Sequence, residues 1–398
     1  MAQFEYDVCV VGGAGRVGFP LAVAFAARGL RVAVFDIDEK AVAGVARGET
    51  PFLEPGIEEP LAVALEHGLL SAGTDPALVS ASECVVVVVG TPVDEYLSPD
   101  PQAVPRALEE LASHLGDGQL VVLRSTVFPG VTRRVERLLE RTGHDVDLAF
   151  CPERIAEGQA MNELFVLPQI VAAHTARAGK RAEELFRRLT GSIVTLTPEE
   201  AELAKLFTNS WRYIKFAAAN QYFVIANDLG LDFSRIRAAM MHDYERAADL
   251  PGAGFAAGPC LFKDTMPLAS VTGGTFALGH SAMLVNEGLP DYLVKRIEVG
   301  RDLSRLSVGI LGMAFKAESD DPRASLSYKL RKLLAWSGAR VLCTDPYVKD
   351  DRLVSLQCVL DESDILILGS PHKPYRSLEI GGRDVVDVWG ALGEGIRL

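Results

Sequence analysis

The sequence predicts an α/β fold: two Rossmann-like, doubly wound domains joined by a long central helix and a helical dimerisation domain. Three observations carry this expectation. Short, continuous apolar runs alternate with helical stretches at the start of the chain, the same alternation returns over the last hundred residues, and a segment of period 3.6 separates the two. The expected bounds are residues 1–196 for the first wound domain, 197–302 for the central helical domain and 303–398 for the second wound domain.

In the first domain YDVCVVG reads as a buried parallel strand and RVAVFD as the next. The turn between them, GGAGRVG, places Gly13, Gly15 and Gly18 in the pattern G-x-G-x-x-G. Glycines there permit a tight turn and close backbone approach to a pyrophosphate at the following helix N-terminus. Asp36 closes the second strand about 20 residues on, where a carboxylate accepts hydrogen bonds from a ribose diol and repels a 2′-phosphate, so NAD is favoured over NADP. The alternative is a glycine-rich turn beside a solvated Asp36. CVVVVVGTP and QLVVLRST supply two further strands whose ends, Gly90, Thr91, Ser125 and Thr126, are candidates to line the ribose and nicotinamide region, or else make ordinary turns.

The central segment opens at TPEEAELAK, with Thr197 as N-cap, Pro198 at the first helical position and Glu200 completing a capping box; Gly230 is the expected stop. About 32 residues make a rod of roughly 48 Å, whose apolar face would bury between domains or against a second subunit. Glu202, Lys205, Asn209 and Arg212 follow at steps of 3, 4 and 3 and so share one face. A solvated polar face is the alternative, against which Asn209, a poor helix-interior residue, argues. In GPCLFKDT, if Cys260 opens a helical turn, the exposed N–H groups and Lys263 would both favour its thiolate. A cysteine packed as a small hydrophobe explains the segment as well.

The second wound domain repeats the first: SVGILG matches DVCVVG, GARVLCTDP matches RVAVFDID, and ESDILILGSP matches SECVVVVVGTP. It lacks a full G-x-G-x-x-G, which favours part of a nucleotide-bearing substrate over a second dinucleotide, and Asp345 echoes Asp36 in position alone.

With 48% hydrophobic and 23% charged residues over 398 positions, the chain has material for two or three cores. Its 40 Lys+Arg against 53 Asp+Glu give a net charge of −13, which argues against broad binding to nucleic acid or anionic membrane. The opening MAQFEYDVCVVGG has no basic n-region, and the most apolar run, Val85 to Val89, is too short to span a bilayer, so a cytoplasmic address is expected. Cys9, Cys84, Cys151, Cys260, Cys343 and Cys358 form no C-x-x-C pair, so no metal site or disulfide framework is expected.

Taken in order, these segments resemble the UDP-glucose/GDP-mannose dehydrogenase family. VGGAGRVGFPLA is similar to its GxGxVGLPLA opening, GTPVDE to its GTP turn, RSTVFPGVT to its STVxPGT segment and CPERIAEG to its PER/PEF-xxxG loop. AELAKLFTN resembles its AE-x-x-K-x-x-x-N helix, GPCLFKDT its G-x-C-x-x-KD segment, AFKAESDDPRAS its FKxxTDDxRxS loop and TDP its YDP. The resemblance implies a four-electron, two-NAD⁺ oxidation of a sugar C6 alcohol to a carboxylate through a thiohemiacetal and a thioester on Cys260. It implies that Lys205 and Asn209 stabilise negative charge on oxygen, that Asp264 orients or activates a water, and that Glu153 is the acid/base for thioester hydrolysis with Thr126 holding a water. Glu157 and Lys263 would assist. It places NAD against Gly13, Gly15, Arg16, Val17, Asp36, Gly90, Thr91, Ser125 and Thr126. It places a UDP-sugar against Glu153, Arg154, Lys205, Asn209, Lys263, Lys316 and Arg323, with no metal, in a homodimer or higher homo-oligomer serving polysaccharide biosynthesis.

CPER and GPCL lean towards the branch that oxidises UDP-N-acetyl sugars such as UDP-N-acetylmannosamine. Two departures stand out: Phe262 where many relatives carry Pro, and, in HSAMLVNE, Met283 where the family's A-R-x-x-N has Arg, while Asn286 is kept. A two-electron hydroxyacid dehydrogenase would leave Cys260 idle, and a non-catalytic NAD-binding protein is favoured by Met283 alone.

Overall fold

The computed structural model describes residues 4–91, 100–271, 275–378, 380 and 383–392; residues 92–95 of the GTPVDE motif lie outside them. The chain forms two compact units, Met1–Phe207 and Thr208–Leu398.

In the first unit β1 (Tyr6–Val11), β2 (Val32–Phe35), β3 (Leu70–Gly73), β4 (Ser82–Val87), β5 (Leu120–Leu123), β6 (Asp147–Phe150), β7 (Gln169–Ala172) and β8 (Ile193–Leu196) make one sheet. Its order is β3-β2-β1-β4-β5-β6-β7-β8, parallel except where β7 meets β6. Strand side chains alternate between faces, so Val8, Val10 and Val34 enter one core and Cys9, Val11, Ala33 and Phe35 the other. Both faces are covered, which is why the sequence shows unbroken apolar runs rather than alternation. The chain order reverses between β1 and β4, the place in such sheets where ligands bind beyond the strand ends.

The second unit contains β9 (Ser307–Leu311), β10 (Arg340–Thr344), β11 (Ile365–Leu368) and β12 (Asp384–Val386), all parallel, in the order β10-β9-β11-β12. The internal echo extends to the backbone. Gly12 (φ +75°) and Gly312 (φ +97°) end the first strand of each sheet, and at either a Cβ would lie 2.6 Å from the backbone of the neighbouring strand's exit. Asp36 accepts the Ala14 N–H at 3.0 Å, and Asp345 accepts those of Met313 and Ala314 at 2.6 and 2.9 Å. Asp345 therefore repeats a hydrogen-bonding task as well as a position.

The helix Pro198–Asp228 runs on from the first unit into the second. Thr197 and Glu200 close the expected capping box, with the Thr197 N–H donating to Glu200 Oε2 at 2.9 Å and the Glu200 N–H to Thr197 Oγ1 at 3.3 Å. At the other end the Gly230 N–H donates to Asn227 O and the Leu231 N–H to Ala226 O, with Gly230 left-handed at φ +69°, which is a Schellman stop. The helices Leu261–Val271 and Ala277–Glu298 follow in the same unit. Among the described residues no helix is long and apolar enough to cross a membrane.

Asp345 and His372 form a fully buried pair, Nε2 to Oδ2 at 3.1 Å. Burial raises the Asp345 pKa, but the His372 hydrogen bond and charge and the Val348 and Tyr347 N–H groups outweigh it and hold the carboxyl at about 2. A depressed carboxyl pKa stabilises the fold above its unfolded value, here 3.8, and that contribution is lost as pH falls through about 2. Asp345→Asn should therefore melt below the parent at pH 7, by about 1–3 kcal/mol, with the gap closing between pH 4 and pH 2; equal melting at pH 7 would contradict this.

Candidate active site

The first unit assembles a nucleotide cradle. Gly13 and Gly18 are needed by the fold itself, since a Cβ on either would lie 2.5 Å from a backbone carbonyl oxygen. Gly15 is different: it is exposed, and a Cβ there would meet nothing closer than 3.4 Å, so its bare backbone is available to a ligand. The helix Gly18–Ala27 that follows has no side-chain cap at Val17, and Asp36 lies against the turn through Ala14. These residues fit a dinucleotide, with its pyrophosphate at the helix N-terminus and a ribose at Asp36.

Arg16 and Val17 are half-buried in this turn, and Arg16 pairs with Glu157 at 2.6 Å while its guanidinium stacks over Phe52. The glycine turn is thereby tied to the CPERIAEG loop. Glu54, which the sequence reading passed over, holds the same loop by accepting the Gly158 and Ala160 N–H groups, both at 2.8 Å. PFLEPG carries no motif that would have flagged it. Gly90 is exposed at the exit of β4, and the Ser125 hydroxyl donates to Val89 O at 2.8 Å, so Ser125 shapes that exit. Thr91 and Thr126 line one small recess with Val127 and Phe128.

Glu153 is buried. Its Oε1 accepts the N–H groups of Arg154 and Ile155 at 2.7 and 3.0 Å, and its other oxygen pairs with Arg124. Arg124 is fully buried, donates also to Cys151 O and Gln169 Oε1, and stacks on Phe186. It too was missed, although a lone charge ending the apolar run QLVVL was a signal. The Arg154 guanidinium donates to Pro168 O.

On the long helix Glu202, Lys205 and Asn209 are buried, which rules out a solvated polar face, but Arg212 is exposed. At 100° per residue Arg212 sits about 60° round from Asn209, far enough to leave the buried stripe. Glu202 supplies a cap from a distance: it accepts the Gly130 N–H at 2.7 Å and the Thr132 N–H at 2.8 Å at the start of the helix Val131–Thr142.

In the second unit Cys260 is the N-cap of Leu261–Val271, its carbonyl accepting the Asp264 N–H at 2.9 Å. Asp264 is buried, accepts the Asn209 amide at 2.5 Å, and has the Lys263 ammonium 3.4 Å away. Just before the thiol, Gly258 (φ +105°) lies under the Phe315 ring, where a Cβ would come within 2.5 Å. GPCLFKDT is thus seated on the AFKAESDDPRAS loop. In that loop Lys316 lies 5.7 Å over Phe315, and the Arg323 guanidinium clasps the buried Asp321 at 2.6 Å while remaining more than half exposed. Both departures from the family pattern fall in one place: Phe262 meets Tyr213 edge to face at 6.4 Å, and Met283 packs on the same apolar cluster with Ala217 and Ala282. A charged residue at 283 would have to desolvate there.

Cys260 is exposed, whereas Cys9, Cys84, Cys151 and Cys343 are buried. Burial pushes the first three thiols up to about 12 and Cys343 to about 11.

The chain matches sequence profiles of one family along most of its length: the NAD binding domain of the UDP-glucose/GDP-mannose dehydrogenase family at residues 6–190, its central domain at 199–287 and its UDP binding domain at 309–393. The chain belongs to the UDP-glucose/GDP-mannose dehydrogenase family. It is an NAD-dependent nucleotide-sugar dehydrogenase, as the sequence motifs implied. It is 29% identical to a UDP-N-acetyl-D-mannosamine dehydrogenase of Yersinia pestis, over 97% of this chain and 98% of that one. The solved UDP-D-ManNAc dehydrogenase of Pyrococcus horikoshii superposes with a TM-score of 0.90 at 27% identity, covering 98% and 96% of the two chains. A UDP-glucose dehydrogenase of Pyrobaculum islandicum gives 0.88 at 30% identity, covering 98% and 95%.

Exposure and pKa together predict the labelling pattern. Iodoacetamide at pH 8 should modify Cys260 first and leave Cys9, Cys84, Cys151 and Cys343 unmodified in the folded protein, read by peptide mass spectrometry. Labelling of a buried thiol ahead of Cys260 would contradict the placement.

Proposed function

We propose that this dehydrogenase oxidises the C6 alcohol of a UDP-linked N-acetylhexosamine, with UDP-N-acetylmannosamine as the preferred sugar, to the uronic acid through a thioester on Cys260. The observation that carries this reading is the exposed thiol at a helix N-terminus, next to the buried Asp264–Asn209 pair. The helix N-terminus and Lys263 favour the thiolate. When bound at the glycine turn, NAD⁺ supplies both oxidations, accepting one hydride at the alcohol stage and, as a second molecule, one at the thiohemiacetal stage.

The remaining work falls to the protein. The Cys260 thiolate adds to the aldehyde carbon, forming a C–S bond while the carbonyl oxygen takes up a proton; the thiol keeps a reactive aldehyde attached while the cofactor is exchanged. Lys205 and Asn209 donate to the oxygen on which negative charge builds. After the second oxidation Glu153 takes a proton from a water held with Thr126, the water adds to the thioester, and the C–S bond breaks to return the thiolate to Cys260. Asp264 orients that water, and Glu157 holds Arg16 at the cofactor turn. Arg154, Lys263, Lys316 and Arg323 carry positive charge suited to the diphosphate. Overall one alcohol, one water and two NAD⁺ give one carboxylate, two NADH and three protons.

This reading includes the division at residues 1–196, 197–302 and 303–398, a homodimer whose contact is the apolar side of the central helices, and a cytoplasmic setting in polysaccharide biosynthesis. Trp211, Tyr222 and Ile225 on the long helix, and Leu229 just past its end, are exposed large apolar residues, a face suited to a second copy.

The test is an assay with UDP-N-acetylmannosamine, UDP-N-acetylglucosamine, UDP-glucose and GDP-mannose. The expected result is turnover of the mannosamine sugar with two NADH formed per sugar, and a Cys260→Ser variant slower by about a thousandfold or more. One NADH per sugar, or full activity without the thiol, would support the two-electron hydroxyacid-type reaction instead.

A further inference from the structure

Asn286 has no part in the chemistry above, nor has Asn220, which lies in the middle of the long helix where Asn is a poor helix former. Both side chains are completely buried. Their amides form a single chain of hydrogen bonds. Asn286 Nδ2 donates to Tyr213 O at 3.0 Å, and Asn220 Nδ2 donates to Asn286 Oδ1 at 2.9 Å. Asn220 Nδ2 donates as well to Gly254 O at 3.0 Å, while Asn220 Oδ1 accepts the Gly254 N–H at 2.9 Å. Asn220 therefore pairs with both backbone groups of Gly254, as an adjacent strand would. Turning either amide over would set like groups against each other, so the chain of bonds fixes both orientations.

The same glycine is held from its other side. At φ +151° a Cβ on Gly254 would lie 2.3 Å from the Trp389 ring, and Phe255 meets that ring edge to face at 6.3 Å. Trp389 is itself anchored, its Nε1 donating to Leu368 O at 3.1 Å at the end of β11. Four residues later Gly258 lies under Phe315, and Cys260 follows. The backbone leading to the thiol is thus clamped at Gly254 and wedged at Gly258.

We propose that Asn220, oriented by Asn286, is a positioning residue for Cys260: it fixes the backbone path that decides where the thiol reaches. The proposal rests on the reading of Cys260 as the nucleophile. It gives Asn286, the residue retained in HSAMLVNE beside Met283, a task that does not involve touching substrate. Holding a reacting atom in place is worth large factors in rate, and an error of about 1 Å introduced at a distance can cost on the order of a hundredfold.

The experiment uses the full chain carrying Asn220→Ala, Asn220→Asp or Asn286→Ser. Asn220→Asp keeps the shape and the acceptor for the Gly254 N–H but removes both donated bonds. Three quantities are read: the rate of Cys260 alkylation by iodoacetamide, which needs no substrate; kcat and KM with UDP-N-acetylmannosamine; and the melting temperature with and without NAD⁺. The expected result is a kcat about tenfold or more below the parent with KM within about twofold. Alkylation should be roughly two- to fivefold slower, as the thiol leaves its place at the helix N-terminus, with the NAD⁺-dependent rise in melting temperature retained. A lower melting temperature with alkylation and kcat unchanged would overturn the proposal and leave the amides a purely structural role. If Asn220→Ala does not fold, the other two variants decide by the same criteria. A parent that turns over no nucleotide sugar would defeat the functional reading, while the alkylation rates would still decide the clamp.

Discussion

A buried polar side chain on a helix has to find a partner, because an unmet donor or acceptor away from water costs about 1–3 kcal/mol. The long helix carries a line of them. Glu202, Asn209, Asn220 and Asn227 are 7, 11 and 7 residues apart, each step within about 20° of whole turns at 100° per residue, so they form one stripe. Every member is satisfied by residues distant in sequence: Glu202 by the start of the helix Val131–Thr142, Asn209 by Asp264, Asn220 by Gly254 and Asn286, and Asn227 by the Tyr292 hydroxyl at 2.7 Å. Apolar contacts tolerate a slide along a helix; these do not. Each member therefore fixes the register of its own partner segment against the helix.

The two wound sheets, one in each unit, do similar work with different ends. In the first, a bare Gly15 and a carboxylate at Asp36 leave room and polarity for a dinucleotide. In the second, Asp345 makes the matching backbone contacts but is buried with His372, and the loop it braces carries Lys316 and Arg323. One architecture thus presents a cofactor cradle in one unit and a cationic loop in the other, and the difference lies in a few side chains at the strand exits.

The fold was legible in the sequence chiefly where strands carry marked apolar runs. β1, β2, β4, β5, β9 and β11 carry buried apolar runs, whereas β10, RVLCT, was recognised although its first three residues are exposed or half-buried. β3, β8 and β12 were not found, since LSAG, IVTL and DVV are partly exposed and lack that signal; β6 and β7 were missed too, although DLAF and QIVA are buried throughout. The capping box and the Gly230 stop were readable because they are local chemistry. Partners distant in sequence were not: nothing near Glu54 or Arg124 names Gly158 or Glu153, and steps of 3, 4 and 3 wrongly carried the buried face on to Arg212. Cys260, left undecided by its own segment, is distinguished from the buried thiols by exposure.

Covalent attachment of the sugar to one thiol is the step on which the proposed reaction depends. Its most direct test is a Glu153→Gln variant, in which thioester hydrolysis should be the slowed step, quenched in acid during turnover of UDP-N-acetylmannosamine with NAD⁺ and digested for mass spectrometry. The expected result is a nucleotide-sugar acyl adduct on the peptide bearing Cys260, absent when Cys260→Ser is added. NADH formation at two per sugar with no adduct on that peptide would contradict it.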